Sequence, residues 1–447
     1  MLTRGISRRN LLKAAGAGAA VAAGGSAGLF GGKAPAFAQG TTLHVVQQSN
    51  FVPDIDAVHR KFAGEFEKLH NVTVKMEFIG TNDVLPRAIA GIESKSGADI
   101  FELYWNQGWL FGNNGDALLD LGDVVQAVGA TKWHKFNLDA VRIKGTYRGI
   151  PKLNIPSVMT YNKKICDPLG LTKYPDTYDE LKAFGTELKK AGKPIGWCLG
   201  HTLGDGAFGN YPIIWSWGGA ETDEKGRVAI NSKQTLEAVK WFRDFWKVAC
   251  DDNGMAWNDA NNNQAYLAET TGAVFNAASI YIKARRDAKQ AKEKGDDAQS
   301  KHWTELADMT RHTIAPKGPA GRYHLILPFN WHVMGYTKNP KLSKELVRYF
   351  TERKQMEQLF TAGQGFATGV DPFFDNHPWW KTDPLMEPYK NCNKYARNMG
   401  YKGPFNRGSA EVQAKYIMAD MLARGIQQDP ESAVKWAESE LKLIYKA

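Results

Sequence analysis

Residues 42–104 read TLHVVQQSNFVPDIDAVHRKFAGEFEKLHNVTVKMEFIGTNDVLPRAIAGIESKSGADIFELY, and the changes of period along them decide the fold. Thr42 to Gln48 is a short β-branched run, and residues 56–69 then set Val58, Phe62, Phe66 and Leu69 at helical spacing. Asn71 to Ile79 alternates Val72, Val74, Met76 and Phe78, the two-residue period of a half-buried strand. Asp83 to Ile92 returns to helical spacing with Pro86 near its start, and Ala98 to Leu103 reads as a third strand. Strand, helix, strand, helix, strand within about sixty residues predicts an α/β fold with a largely parallel sheet covered by helices. Ligands of such sheets bind beyond the carboxyl ends of the strands. Those positions hold Ser49, Asn50 and Phe51, then Thr81 and Asn82, then Tyr104, Trp105, Asn106, Gln107 and Trp109. They are polar and aromatic, with no acid-base pair.

Working outward, 447 residues predict two lobes with separate cores. A composition 43% hydrophobic and 23% charged is too apolar for disorder. The net charge of +10 would point to nucleic acid or a membrane surface if it were spread over the fold. It is not. The first 38 residues read as an export leader: Ser7, Arg8, Arg9, Asn10, Leu11, Leu12 and Lys13 resemble the twin-arginine (Tat) motif, and an Ala/Gly-rich stretch follows. Ala36-Phe37-Ala38 supplies the small-x-small pattern of signal peptidase, which predicts cleavage after Ala38 and delivery to the periplasm. Without the five basic residues of that leader, 52 basic face 47 acidic residues. Gly24 to Gly28 spells the G-x-S-x-G nucleophile motif by letter, but inside the leader. Cys166, Cys198, Cys250 and Cys392 show no C-x-x-C spacing, and three pairings are open to them.

The next stretches resemble a known family. Ala98-Asp99-Ile100 through Gly115 and Leu118 to Leu121 are similar to one block of the family 1 extracellular solute-binding proteins of bacterial ABC importers. Tyr147, Gly149, Ile150, Pro151, then Tyr161-Asn162-Lys163, Gly170-Leu171, Pro175, Thr177, Tyr178 and Glu180-Leu181 resemble the family run Y-x-G-(I/V)-P, Y-N-K, G-(L/I), P-x-T-(W/Y)-x-E-L. Gly272 to Asn276 resembles a later short strand, with Phe275 and Asn276-Ala277 departing from the usual Met and Gly, and Glu345 to Phe350 resembles a late helix. The order of the blocks carries the likeness. It implies a type II periplasmic binding protein: two doubly wound lobes joined by crossing strands around a ligand cleft. The crossings are expected near Gly149 to Ile155 and Ile314 to Pro319. Residues 39–150 with 317–358 would form lobe 1, and 151–316 with 359–447 lobe 2. The implied partners are a sugar, oligosaccharide, polyol or sugar-acid ligand and the permease subunits in the inner membrane, with the binding protein a monomer.

Among the 14 tryptophans, Trp241, Trp246 and Trp436 sit in helical patterns and read as packing residues. Trp105, Trp109 and Trp331 lie beside Asn106, Gln107, Asn330 and His332, where an indole can cover the C–H face of a sugar while amides take its hydroxyls. Trp257 is a further candidate in an Asn-rich stretch, and Trp379-Trp380 reads as a hydrophobic seam. His201 and Asp205 follow an apolar stretch from Pro194 to Leu199 that reads as a second-lobe strand, a place where the family implies polar ligand contacts. Asn154 lies beside the first crossing; Asn276, Ser279 and Tyr281 follow the short strand before the second. The expected ligand set is therefore Asn50, Phe51, Asn82, Trp105, Asn106, Gln107, Trp109, Asn154, His201, Asp205, Trp257, Asn276, Ser279, Tyr281, Asn330 and Trp331.

Other chemistries find little support. The basic residues between Lys283 and Lys301 alternate with acids at helical spacing and carry no interleaved aromatics, which marks a solvated helix rather than a nucleic-acid surface. No H-E-x-x-H, P-loop or haem pattern occurs, so neither metal nor cofactor is expected. A secreted glycosidase would need two carboxylates about 5 to 9.5 Å apart. The expected cleft segments offer chiefly Asp83, Glu102 and Asp205, so a binding protein without catalytic residues is the favoured reading.

Overall fold

The computed structural model describes residues 40–112 and 115–445; the twin-arginine motif and the Ala36-Phe37-Ala38 pattern lie outside them. Strand β1 (Thr42–Gln48), helix α1 (Pro53–His70), strand β2 (Thr73–Ile79), helix α2 (Val84–Ser94) and strand β3 (Ile100–Tyr104) follow the expected order. β1 lies between β2 and β3 and pairs parallel with both. α1 starts with Pro53 and carries Asp54 and Asp56 in its first turn and Lys68 and His70 in its last, all matched to the helix dipole. Asn71, at φ 52°, ends it in the left-handed conformation that asparagine tolerates.

The later strands are β4 (Ile150–Ile155), β5 (Val158–Asn162), β6 (Ile195–Gly196), β7 (Ala273–Asn276), β8 (Thr310–Thr313) and β9 (Leu327–Val333). The first sheet runs β2-β1-β3-β9-β4 and the second β8-β5-β7-β6. Neither is wholly parallel. β9 runs antiparallel to both β3 and β4, and β5 antiparallel to β7 and β8. The reason is connectivity: β4 passes to β5 through Pro156 and Ser157 alone, and β9 brings the chain back into the first sheet from the opposite direction. The stretch Pro194 to Leu199 forms only the two-residue strand β6, and the remainder is loop.

Helices cover both sheets. α3 (Tyr178–Lys190) and α4 (Lys233–Ala249) pack together beside the second sheet, and α5 (Ser279–Glu293) follows β7. α6 (Pro340–Phe350) and α7 (Arg353–Gly363) lie against α1. The chain closes with α8 (Arg407–Ala414), α9 (Ile417–Gln427) and α10 (Pro430–Tyr445), of which α9 and α10 pack on α4. Trp241 and Trp246 are buried on α4, as their spacing predicts. All four cysteines are buried and unpaired. Among the described residues no helix is long and apolar enough to cross a membrane.

Glu221 ties the closing segment to this frame. Its fully buried carboxylate accepts bonds from the Tyr445 hydroxyl at 2.6 Å and the Gly400 N–H at 3.1 Å. Burial nevertheless pushes the carboxyl up to about 7. The folded chain therefore binds a proton that the unfolded chain has released, and this contribution is full below about pH 4.5 and is lost as pH rises through about 7. Urea unfolding should show Glu221→Gln gaining on the wild type across that window; pH curves that stay parallel would show that Glu221 does not titrate there.

Candidate functional site

The carboxyl ends of β1 and β2 carry Gln48 and Thr81 to one wall of a cavity between the two sheets. Phe51, Ile155, Leu327, Phe329 and Phe366 complete that wall. The facing wall comes from Gly204, Asp205, Phe208 and Asp259, with Asn276, Ala277 and Ser279 at the end of β7. The space free of atoms, open solvent at the mouth included, is about 380 Å³, and the part that admits the centre of a water molecule is about 30 Å³.

The first wall is held from behind by a buried polar network. Thr81 Oγ1 donates to Gln48 Oε1 at 2.8 Å, Gln48 Nε2 donates to Asn50 Oδ1 at 3.1 Å, and Asn50 Nδ2 donates to Asp56 Oδ1 at 2.6 Å. Deeper lies an ion pair between Glu102 of β3 and Lys152 of β4, both fully enclosed. Burial pushes the Glu102 carboxyl up and the Lys152 amine down, and each partner's charge opposes that push. The Lys152 ammonium also sits 4.4 Å from the Trp331 ring centroid.

The second wall depends on a tightly wound loop. A Cβ on Gly200 would lie 2.2 Å from the Trp257 carbonyl oxygen, and one on Gly206 would lie 2.6 Å from the carbonyl oxygen of Gly200. This winding lets Asp259 accept the Asp205 N–H at 2.7 Å and the Gly204 N–H at 3.2 Å. Asp205 in turn accepts a bond from Asn262 Nδ2 at 2.9 Å. Burial, then the neighbouring charge of Asp259, holds the Asp205 carboxyl well above the usual range. Burial also raises Asp259, against the bonds from Thr202 and the loop amides. No lysine or arginine belongs to the lining.

Of the expected ligand residues, Phe51, Asp205, Asn276 and Ser279 line this cavity. Six more surround it as supports. Asn50 belongs to the network behind Gln48. Asn82 accepts a bond from the Leu203 N–H, and Asn106 Nδ2 donates to the Asn406 carbonyl and to Ser409 Oγ. Gln107 Oε1 accepts the Tyr104 N–H, and Asn330 Nδ2 donates to the Trp105 carbonyl at 2.7 Å. Trp105 itself, 1% exposed, stands edge-on to Phe208 at 6.5 Å between ring centroids, one ring behind the cavity surface. Its backbone takes φ 44°, a strained value for a bulky residue.

The remaining six are placed elsewhere. Trp109 Nε1 donates to the Ala140 carbonyl, and Trp331 packs among His59, Phe350 and Lys152 on the α1 side of the sheet. Asn154 exchanges bonds with Asn137 and donates to the Gly369 carbonyl. His201 stacks on Tyr416 and bonds Asp420. The Trp257 ring lies over Gly196, and the Tyr281 hydroxyl donates to Asp383. Two-residue alternation puts Trp331 on the same face of β9 as Leu327 and Phe329, and it misses the cavity because it stands further along the strand from the end that lines it. Phe208, Phe329 and Phe366 sit in apolar stretches that read as core. Thr81 holds a post-strand position, Gln48 is the last residue of β1, and Asp259 lies in the Asn-rich stretch beside Trp257.

Two facing sheets whose strand ends converge on one cavity are the geometry of a ligand-binding fold. Residues 52–357 match the family described as "Bacterial extracellular solute-binding protein", and the chain belongs to that family. Its members are transport proteins, not enzymes. No curated protein matches the chain. Among solved structures, the maltose-bound MalE3 of T. maritima is similar at a TM-score of 0.75 and 14% identity, covering 90% of this chain and 100% of that one. The GacH receptor of Streptomyces glaucescens is similar at 0.72 and 18% identity, covering 91% and 98%. A sugar transporter protein of Arthrobacter chlorophenolicus with bound laminaribiose gives 0.74 and 16%, covering 90% and 98%. At these identities the likeness shows a shared type II fold. Among the described residues no group of three or more His, Cys, Asp or Glu is placed to hold a metal ion.

Trp105→Ala should lower the stability of the ligand-free protein by about 3 to 5 kcal/mol, the cost of emptying a buried aromatic site. Denaturant unfolding measures it, and an unchanged midpoint would show that the indole is not part of the packed wall.

Proposed function

We propose that this chain is the substrate-binding component of an ABC importer and captures a neutral or cationic sugar, oligosaccharide or polyol by closure of two lobes. The observation that carries the proposal is the lining of the cavity: buried phenylalanine rings beside Asp205, Asp259 and Asn276, with no cationic side chain. Rings cover C–H faces and carboxylates accept hydroxyl or ammonium donors. A sugar acid finds no cationic partner in this lining, which removes sugar acids from the ligands considered. The similar structures of MalE3, GacH and the Arthrobacter protein bind maltose, acarbose and laminaribiose, which supports a carbohydrate here.

One lobe is built on each sheet, with the chain crossing at Pro156-Ser157 and again between Thr313 and Leu327. The twin-arginine motif supports export to the periplasm with cleavage after Ala38, where the protein acts as a monomer and hands its ligand to permease subunits.

Titration calorimetry of the mature chain against maltose, maltotriose and laminaribiose tests the proposal, with maltobionate as an anionic control. Saturable binding of a neutral sugar and none of maltobionate is expected; preference for maltobionate would overturn the assignment. Asp205→Ala should weaken the neutral sugar by roughly tenfold or more, because a buried hydrogen-bonding group of the wall is lost.

A further inference from the structure

We infer that Asn82 and Asn106 are closure latches, positioning residues that hold the two walls of the cavity together without touching ligand. The inference rests on the binding role proposed above. Neither side chain belongs to the cavity lining, and each spans from the first-sheet side to the second.

Asn82 lies just past β2. Its Oδ1 accepts the Leu203 N–H at 3.3 Å, and the residues next to both partners, Thr81 and Gly204, line the cavity. This bond therefore closes the rim. Asn106 follows β3 and is 1% exposed, with Nδ2 donating to the Asn406 carbonyl at 3.2 Å and to Ser409 Oγ at 2.8 Å.

The receiving side is preorganised. Asn406 and Ser409 form the capping box of α8: Asn406 Oδ1 accepts the Ser409 N–H at 2.9 Å, and Ser409 Oγ accepts the Asn406 N–H at 3.2 Å. α8 rests on the turn Gln107–Phe111 on one side and on α9 and α10 on the other, and these pack on α4 beside the second sheet. The donating side is equally fixed, because Gln107 caps the Tyr104 N–H and Asn330 holds the Trp105 carbonyl. Bonds made only when the walls meet favour the closed form whatever is bound, so they add the same free energy to every ligand.

The two amides act through opposite atoms. Asn82 is an acceptor, so Asn82→Asp keeps its latch and Asn82→Ala removes it. Asn106 is a donor, so Asn106→Leu loses its latch at nearly constant shape. Calorimetry with maltose and laminaribiose should show Asn82→Ala and Asn106→Leu each weakening both sugars by one common factor, about 2- to 13-fold, with Asn82→Asp at the wild-type affinity. Different factors for the two sugars, or unchanged affinity in Asn106→Leu, would overturn the inference. Amide exchange of the ligand-free mature chain decides it independently of any sugar. Because the ligand-free lobes also open, the reading is relative: the Leu203 amide should exchange more slowly in the wild type and in Asn82→Asp than in Asn82→Ala, and equal rates in the three would sink the latch. Failure of the wild type to bind either sugar, with Leu203 slower than in Asn82→Ala, would instead count against the carbohydrate assignment alone.

Discussion

The ion pair between Glu102 and Lys152 is the interaction on which the arrangement turns. It joins β3 to β4 across the returning strand β9, with the Trp331 ring beside it. A buried pair of this kind gains little net stability over apolar packing, but removing one partner strands a charge and costs about 3 to 5 kcal/mol. Its effect is therefore specificity. Only one register of β3, β9 and β4 brings the carboxylate and the ammonium together, and that register sets where β4 ends. Ile155 then reaches the cavity and Pro156-Ser157 carries the chain to the second sheet. The Gln47 side chain and the Gln48 N–H join the same cluster, so the end of β1 is fixed by it as well.

Much of this was legible in the chain. The first five elements follow periodicity closely, because each is amphipathic and packs locally. The antiparallel course of β9 was not, since pairing between residues about 230 apart leaves no local period. Pro194 to Leu199 misled for a related reason: its apolar side chains pack in a loop wound by glycines, and hydrophobicity without alternation does not separate loop from strand.

The cavity wall was half legible for a chemical reason. Position after a strand led to Phe51, Asp205, Asn276 and Ser279, which do line the cavity. Residue type led to Trp109, Trp257 and Trp331, which do not. An indole carries one donor and a large apolar face, so it serves an interior as well as a sugar, and its surroundings in sequence do not reveal which. The phenylalanines of the wall carry no polar tag at all. Asn82, Asn106 and Asn330 show a further role for amides near a cleft, in which the partner is backbone or another side chain of the same protein.

The four buried thiols bear on where such a chain can mature. Each is enclosed and unpaired, and burial holds Cys166 up at about 12 and Cys198 and Cys250 well above their ordinary value. A thiol held protonated is a poor nucleophile, so these groups resist oxidant and exchange while the fold is intact. The architecture thus depends on no oxidoreductase and on no particular redox poise. It can be completed in a reducing compartment and then kept in an oxidising one without change of covalent structure, which is the chemical condition for crossing a membrane already folded.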